Sequence, residues 1–242
     1  MALQLQCAVR CASGRVAQFI KAGATSGSIE ELTTGGADVN QVSGVSFGQA
    51  LAGETVTHMY FTVCAPTSTA TGFDVGFVTS PQGNVATVVQ GGTQFSAMPA
   101  LYKPLPVQTG MLLKGQSTTA ATTVTEATFA TYYNDGSCAV YQATGSDGTK
   151  ANFADVISGA TWGQTGSGKI AVAYYCTLNN TNTINEDGNG NNFVYALDAQ
   201  GQLKGLVSPA SSAGSGIGTT VDYISVPIMV HQNDNLSLTY AT

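Results

Sequence analysis

His58 and His231 are the only histidines in the chain, and so the only side chains whose ordinary pKa suits a general base near neutral pH. A Ser–His–Asp or Cys–His device would have to use one of them. Neither sits in a glycine-rich turn, and the strings G-x-S-x-G and H-E-x-x-H do not occur. His58 falls on one side of an alternating strand pattern and His231 in a polar turn, so both are expected to be structural. Any two of the 14 acids could meet in space as a carboxylate pair, and spacing singles out none of them. No catalytic residue is assigned, and the chain is not expected to be an enzyme.

The segment GQTGSGKI at 163–170 imitates a phosphate-binding loop through Gly163, Gly168 and Lys169. Ile170 stands where a magnesium-holding hydroxyl should be. The lysine also opens an alternating strand rather than a helix, so no helix N-terminus would face a phosphate. Asp187, Asn189 and Asn191 alternate as calcium ligands do, within INEDGNGNNF at 184–193. Calcium takes six to eight oxygens, usually with a bidentate carboxylate at the far end. The next carboxylate, Asp198, belongs to the following strand pattern. An exposed hairpin loop is the plainer expectation, with no metal and no cofactor.

Cysteines number five: Cys7, Cys11, Cys64, Cys138 and Cys176. An odd count without secretory context suggests reduced, mostly buried thiols. Cys7 and Cys11 would lie about 13 Å apart on a strand, too far for a disulfide. Cys64 and Cys176 each end a strand pattern and are expected at equivalent core sites. Trp162, the only tryptophan, matches Phe47 and is expected in the core rather than as a sugar platform.

The elements that would position these residues are strands. Ile170, Val172, Tyr174, Cys176 and Leu178 alternate with Ala171, Ala173, Tyr175 and Thr177. Residues 58–65 do the same. Ile224–Val230 and Asn235–Tyr240 flank a polar run, and the pattern suggests a hairpin. Turn signals sit at Asn134-Asp135-Gly136, Asp147-Gly148 and Gln82-Gly83-Asn84. Helical periodicity is nearly absent, the nearest case being one turn at 152–157.

The halves echo each other in order. VSGVSFGQ at 42–49 matches ISGATWGQ at 157–164. The strands ending at Cys64 and Cys176 follow. VGFVTSPQGNV at 75–85 then matches FVYALDAQGQL at 193–203, and YKPLPV at 102–107 matches YISVPI at 223–228. The expectation is an all-β chain of two tandem β-sandwich, jelly-roll-like modules, 1–118 and 119–242, related by internal duplication. The Ser/Thr-rich junction lies near Gln116–Thr125.

Only 9% of the 242 residues are charged, the net charge is −6, and the eight basic residues are scattered. Soluble domains ordinarily carry about 25% charge. No basic stripe exists to displace counterions from a nucleic acid. No stretch reaches the apolar length of a membrane-spanning helix. A surface of Ser, Thr, Asn, Gln and Gly has little charge to desolvate and is readily buried against neighbouring subunits.

This low charge, the Ser/Thr/Gly-rich surface, and the segments KPLPVQTGMLL and ISVPIMVHQNDNLSL resemble virion structural proteins of double-stranded DNA bacteriophages. The resemblance implies a capsid protein, foremost a decoration protein bound as a homotrimer to the outside of a coat-protein lattice. Major coat protein or tail component is the alternative. The start MALQLQCAVRCASGR has no signal-peptide pattern, so synthesis in the host cytoplasm and residence in the virion are expected. A reading of another class is an extracellular carbohydrate-binding or adhesive module, which would call for an export signal and exposed aromatics.

Overall fold

The computed structural model describes residues 3–35, 41–64, 71–89, 98–119, 125–145, 150–180, 190–212, 217–218 and 222–239. The chain is all-β and divides into two compact units, Met1–Thr119 and Ala120–Thr242.

The first unit comprises β1 (Leu3–Cys11), β2 (Val16–Ala24), β3 (Glu30–Glu31), β4 (Thr33–Thr34), α1 (Phe47–Ala50), β5 (Thr55–Cys64), β6 (Thr71–Thr79), β7 (Val85–Val89), β8 (Ala100–Pro106) and β9 (Leu112–Thr119). One antiparallel sheet runs β4-β2-β1-β5-β8, the other β3-β9-β6-β7. Alternation builds the inner faces: Leu5, Cys7, Val9 and Cys11 of β1 are buried, and the residues between them are not. They join Phe61 of one sheet and Val78 and Leu113 of the other in a single core.

The second unit comprises β10 (Thr125–Tyr133), β11 (Cys138–Gly145), β12 (Lys150–Asn152), β13 (Ala154–Asp155), α2 (Trp162–Gly166), β14 (Ile170–Asn180), β15 (Gly190–Leu197), β16 (Leu203–Ser212), β17 (Ile217–Gly218), β18 (Asp222–Met229) and β19 (Asn235–Thr239). Its sheets run β13-β11-β10-β14, with β17 and β18 both on β14, and β12-β19-β15-β16. Apart from β17, this is the strand order of the first unit.

One flank of each sandwich is closed by a strand that changes sheets. β3 pairs with β9, and two residues on β4 pairs with β2. Leu32 stands at the crossing, fully buried. In the second unit β12 pairs with β19 and β13 with β11, and Phe153 is buried at the crossing. The 152–157 segment, the nearest to a helix by sequence, is this crossing strand and its turn.

The one-turn helices lie instead in the echoed blocks, at Phe47–Ala50 and Trp162–Gly166. Thr161 and Gln164 cap α2 reciprocally. Each helix rests on the turn before the last strand. Gly48 donates to the Met111 carbonyl and Gly163 to that of Asp234, both at 2.9 Å. A Cβ on Gly48 would meet backbone at 2.6 Å, and on Gly163 at 2.5 Å. Gly48→Ala and Gly163→Ala are each expected to cost about 1–3 kcal/mol by overpacking, read as a shift in the denaturation midpoint.

Three expectations are corrected by the ladders. The polar run His231–Asp234 does not close a hairpin: β18 pairs with β14, and β19 with β15 and β12. The turn therefore crosses between sheets, as residues 107–111 do between β8 and β9. Cys64 and Cys176 are not equivalent. Cys7 faces Phe61 where Phe129 faces Cys176, and Gln4 faces Cys64 where Glu126 faces Asn179. Both strands end near a cysteine, but their helices, not their ends, set the register. The block match at Pro106 and Pro227 slips likewise, because Val56 pairs with Leu105 and Ala171 with Ile228.

With the ladders aligned, core substitutions come in compensating sets. Phe61 sits against Gly76 and Gly115, whose Cβ atoms would come within 2.8 and 2.6 Å of the ring. At the same three positions the second unit has Cys176, Val194 and Leu238, all buried. Phe47 and Val9 become Trp162 and Thr131, and the indole Nε1–H donates to the threonine hydroxyl at 3.2 Å. Cys11 and Leu51 become Tyr133 and Gly166; a Cβ on Gly166 would lie 2.7 Å from the Tyr133 hydroxyl.

Candidate functional site

The polar groups gather at one end of each sandwich, where the β1–β2 hairpin, the loop after β4 and the turn after α1 converge. In the first unit Glu54 accepts from the Ser13 hydroxyl at 2.7 Å and lies 4.0 Å from Arg15. In the second, Lys169 lies 3.3 Å from Asp135 and donates to the Ser137 hydroxyl at 2.7 Å. The Ser137 hydroxyl holds the Asp135 carboxyl below the usual range, with Lys169 adding to the effect. Register equates Glu54 with Lys169, Arg15 with Ser137 and Ser13 with Asp135. The ion pair is kept and its polarity reversed. This is what Lys169, the lysine of the phosphate-loop imitation, does.

Beneath this end the second unit buries a chain of hydroxyls. Tyr133 and Tyr141 are 2.8 Å apart, and Tyr141 also contacts Thr165. Burial pushes both phenols up, so they remain protonated. Tyr141 and Thr165 stand where the first unit has Phe19 and Ala50, and Phe19 packs there on Phe47 with ring centroids 5.4 Å apart.

A second polar group joins β16 to the turn after β18. Lys204 pairs with Asp234, whose carboxylate also accepts the His231 backbone N–H at 2.7 Å, and Lys204 Nζ lies 3.1 Å from His231 Nδ1. The Asp234 side chain is 2% exposed. Buried charge demands such partners. The equivalent residues in the first unit, Ala86 and Met111, pack on its apolar core. Sequence reasoning passed over Lys204 and Asp234 because they are 30 residues apart and meet only through the sheet. Reading Ala86 and Met111 as their counterparts would have signalled a paired change.

Among the described residues, His58 Nδ1 contacts its neighbour's hydroxyl, on Thr57, at 2.9 Å. The two histidines thus lie in different units, His58 beside its chain neighbour and His231 beside Lys204. Phe47, Trp162 and Cys176 are buried; the side chain of Cys64 lies outside the described residues. A fully buried Trp162 offers no platform for a sugar. Asn191 lies on β15 opposite Ser211, while Asp187, Asn189 and the Asp147-Gly148 turn lie outside the described residues. Among the described residues, no group of three or more His, Cys, Asp or Glu could hold a metal. A strong calcium chelator is expected to leave the melting temperature unchanged; a fall that calcium reverses would show that Asp187, Asn189 and Asn191 do bind.

Cys7, Cys11, Cys138 and Cys176 are buried. Burial raises the Cys7 and Cys11 thiols and pushes Cys176 up to about 12. The thiolate is the reactive form, so these three should resist alkylation in the native protein and react after unfolding, as peptide mass spectrometry would show.

The first unit also carries an open pocket of about 550 Å³, lined by Arg15, Val16, Thr34, Gln41, Val42 and Ala50. It lies at the same end as the Arg15–Glu54 pair. No family model, curated protein or solved structure matches the chain.

Proposed function

We propose that the chain is a structural protein of a virus particle: a decoration protein that binds the outside of a bacteriophage capsid as a homo-oligomer, its two modules derived from one by duplication. The observation that carries this reading is a single sandwich, built twice, with a surface that only 22 charged residues in 242 are available to cover. Such a surface costs little to desolvate, so broad contacts with a coat lattice form without stranding buried charge. Two modules in one chain also give two attachments, which multiplies residence on a repeating lattice.

The unguarded strands β14 and β19 do not support this reading, because they are not edges. Ile170–Asn180 and Asn235–Thr239 are interior strands, each paired on both sides. Of the edge strands, β8, β16 and β18 carry Pro104 and Pro106, Pro209, and Pro227, which break edge-to-edge pairing, whereas β7 (Val85–Val89) carries neither proline nor lysine. The homo-oligomer, with a trimer favoured, therefore rests on the composition and on exposed apolar residues such as Val16 and Val42.

The test uses particles from cells that carry the gene. The chain should co-sediment with capsids, and immunogold should mark their outer surface. Recovery only as free protein, with no particle labelled, would end this reading.

A further inference from the structure

We propose that Lys204 and Asp234 condense to an isopeptide bond, with the His231 imidazole as the proton carrier. The inference stands apart from the virion reading and needs no partner. Its three groups meet where the first module has apolar residues. Lys204 Nζ lies 3.1 Å from His231 Nδ1 and donates to Asp234 Oδ2, and Oδ2 also accepts the His231 backbone N–H at 2.7 Å. The fold delivers each of them. Leu203 pairs with Leu197 and Gly205 with Ala196, so Lys204 is the extra residue of a β-bulge, a device that re-aims a side chain. The same bulge in β7 leaves Ala86 as the extra residue, packed against the apolar core of the first module. Asp234 is fixed by its backbone: its N–H donates to the His231 carbonyl at 3.0 Å, and its carbonyl accepts from Gly163 of α2 at 2.9 Å. Nucleophile and electrophile are thereby held in contact before any reaction, which removes much of the entropic barrier.

The Asp234 side chain is 2% exposed and that of Lys204 19%, so little water competes for either group. Proton transfer from the ammonium to Oδ2 removes two buried charges. It leaves an amine with a free electron pair beside a carboxylic acid whose hydroxyl is Oδ2. The amine nitrogen attacks Cγ, and the carbonyl electron pair moves to Oδ1. His231 Nδ1, which faces the attacking nitrogen, takes its second proton. The same nitrogen lies 4.0 Å from Oδ2 and returns that proton there as the tetrahedral centre collapses. Oδ2 leaves as water, and the third hydrogen of the ammonium stays on the amide nitrogen. Ammonium and carboxylate thus become one amide and one water, and the imidazole ends as it began. The His231 side chain is 70% exposed, so the water has a way out. The product ties the edge strand β16 to the turn before β19, between residues 30 apart in the chain. A cross-link of that kind stabilises by restricting the unfolded chain.

The intact mass of the full chain, folded at neutral pH and then denatured, tests this. It should be one water below the mass of the sequence. Tryptic digestion should yield a branched peptide in which Lys204, uncut, is joined to Asp234. Lys204→Met should keep the full mass of its sequence. His231→Ala removes an exposed ring and should fold; its cross-linking should be slower by about a hundredfold and be quickened by added imidazole. If Lys204→Met fails to fold, the branched peptide of the unaltered chain decides the matter alone. An unaltered chain at full mass overturns the proposal. So does water lost within a single peptide, as a succinimide at Asp234-Asn235 would give, or water lost from the Lys204→Met chain. A His231→Ala chain that cross-links as fast as the unaltered one overturns the role given to the imidazole.

Discussion

Trp162→Ala is expected to lower the stability of the second module by about 3–5 kcal/mol. The indole is fully buried, and α2, which carries it, has no other large side chain in the core. The informative variant is the smaller one. Trp162→Phe removes the Nε1–H and leaves the buried Thr131 hydroxyl without that donor, a loss of about 1–3 kcal/mol. Adding Thr131→Val recreates the Phe47 and Val9 pair of the first module and should return part of the loss. Equilibrium denaturation of the two singles and the double closes the cycle. A double variant as unstable as the sum of the singles would show that the two positions are not coupled.

The second large effect is expected at Phe61. Gly76→Val places a branched side chain where even a Cβ would come within 2.8 Å of the ring. Overpacking of this kind costs about 3 kcal/mol or fails to fold. Phe61→Cys alone leaves a cavity, at about 3–5 kcal/mol. Together the two changes exchange a ring for an isopropyl group at nearly constant volume, as Cys176 and Val194 do in the second module. The double variant should be more stable than either single. Soluble yield and denaturation midpoint read this out even if Gly76→Val cannot be purified.

These sets explain what could be read from the sequence. Alternation exposed the strands because a period of two survives any substitution that keeps a residue apolar, as in Ile170–Leu178. Gln-Gly at 82–83 and 200–201 was legible because both turns need the left-handed conformation; Gly83 and Gly201 have φ of +88° and +78°. The one-turn helices were not legible, since four or five residues show no periodicity. Their trace was the Ser46–Gln49 and Thr161–Gln164 spacing of a capping box. The β14 register was misread because its best counterpart for Cys176 is Phe61, a residue of opposite size. A match scored residue by residue prefers Cys64, whereas packing conserves the sum. The end-to-end charge reversal was hidden for the same reason: Glu54 and Lys169 look unrelated until the ladders make them one position.

The compensating cores also bear on how the chain reaches its native state. Tandem copies of one fold risk threading a strand into the wrong copy, a recurrent failure of repeated domains. If β6 took the place of β15, Gly76 would lie against Cys176 and leave a void between the sheets. If β15 took the place of β6, Val194 would be driven into the Phe61 ring. Each module's core thus rejects the other's strand, for opposite steric reasons. Two modules that share a backbone plan and reverse the sizes at these positions give each half of the chain its own lock against exchange, so a shared architecture need not mean a shared folding trap.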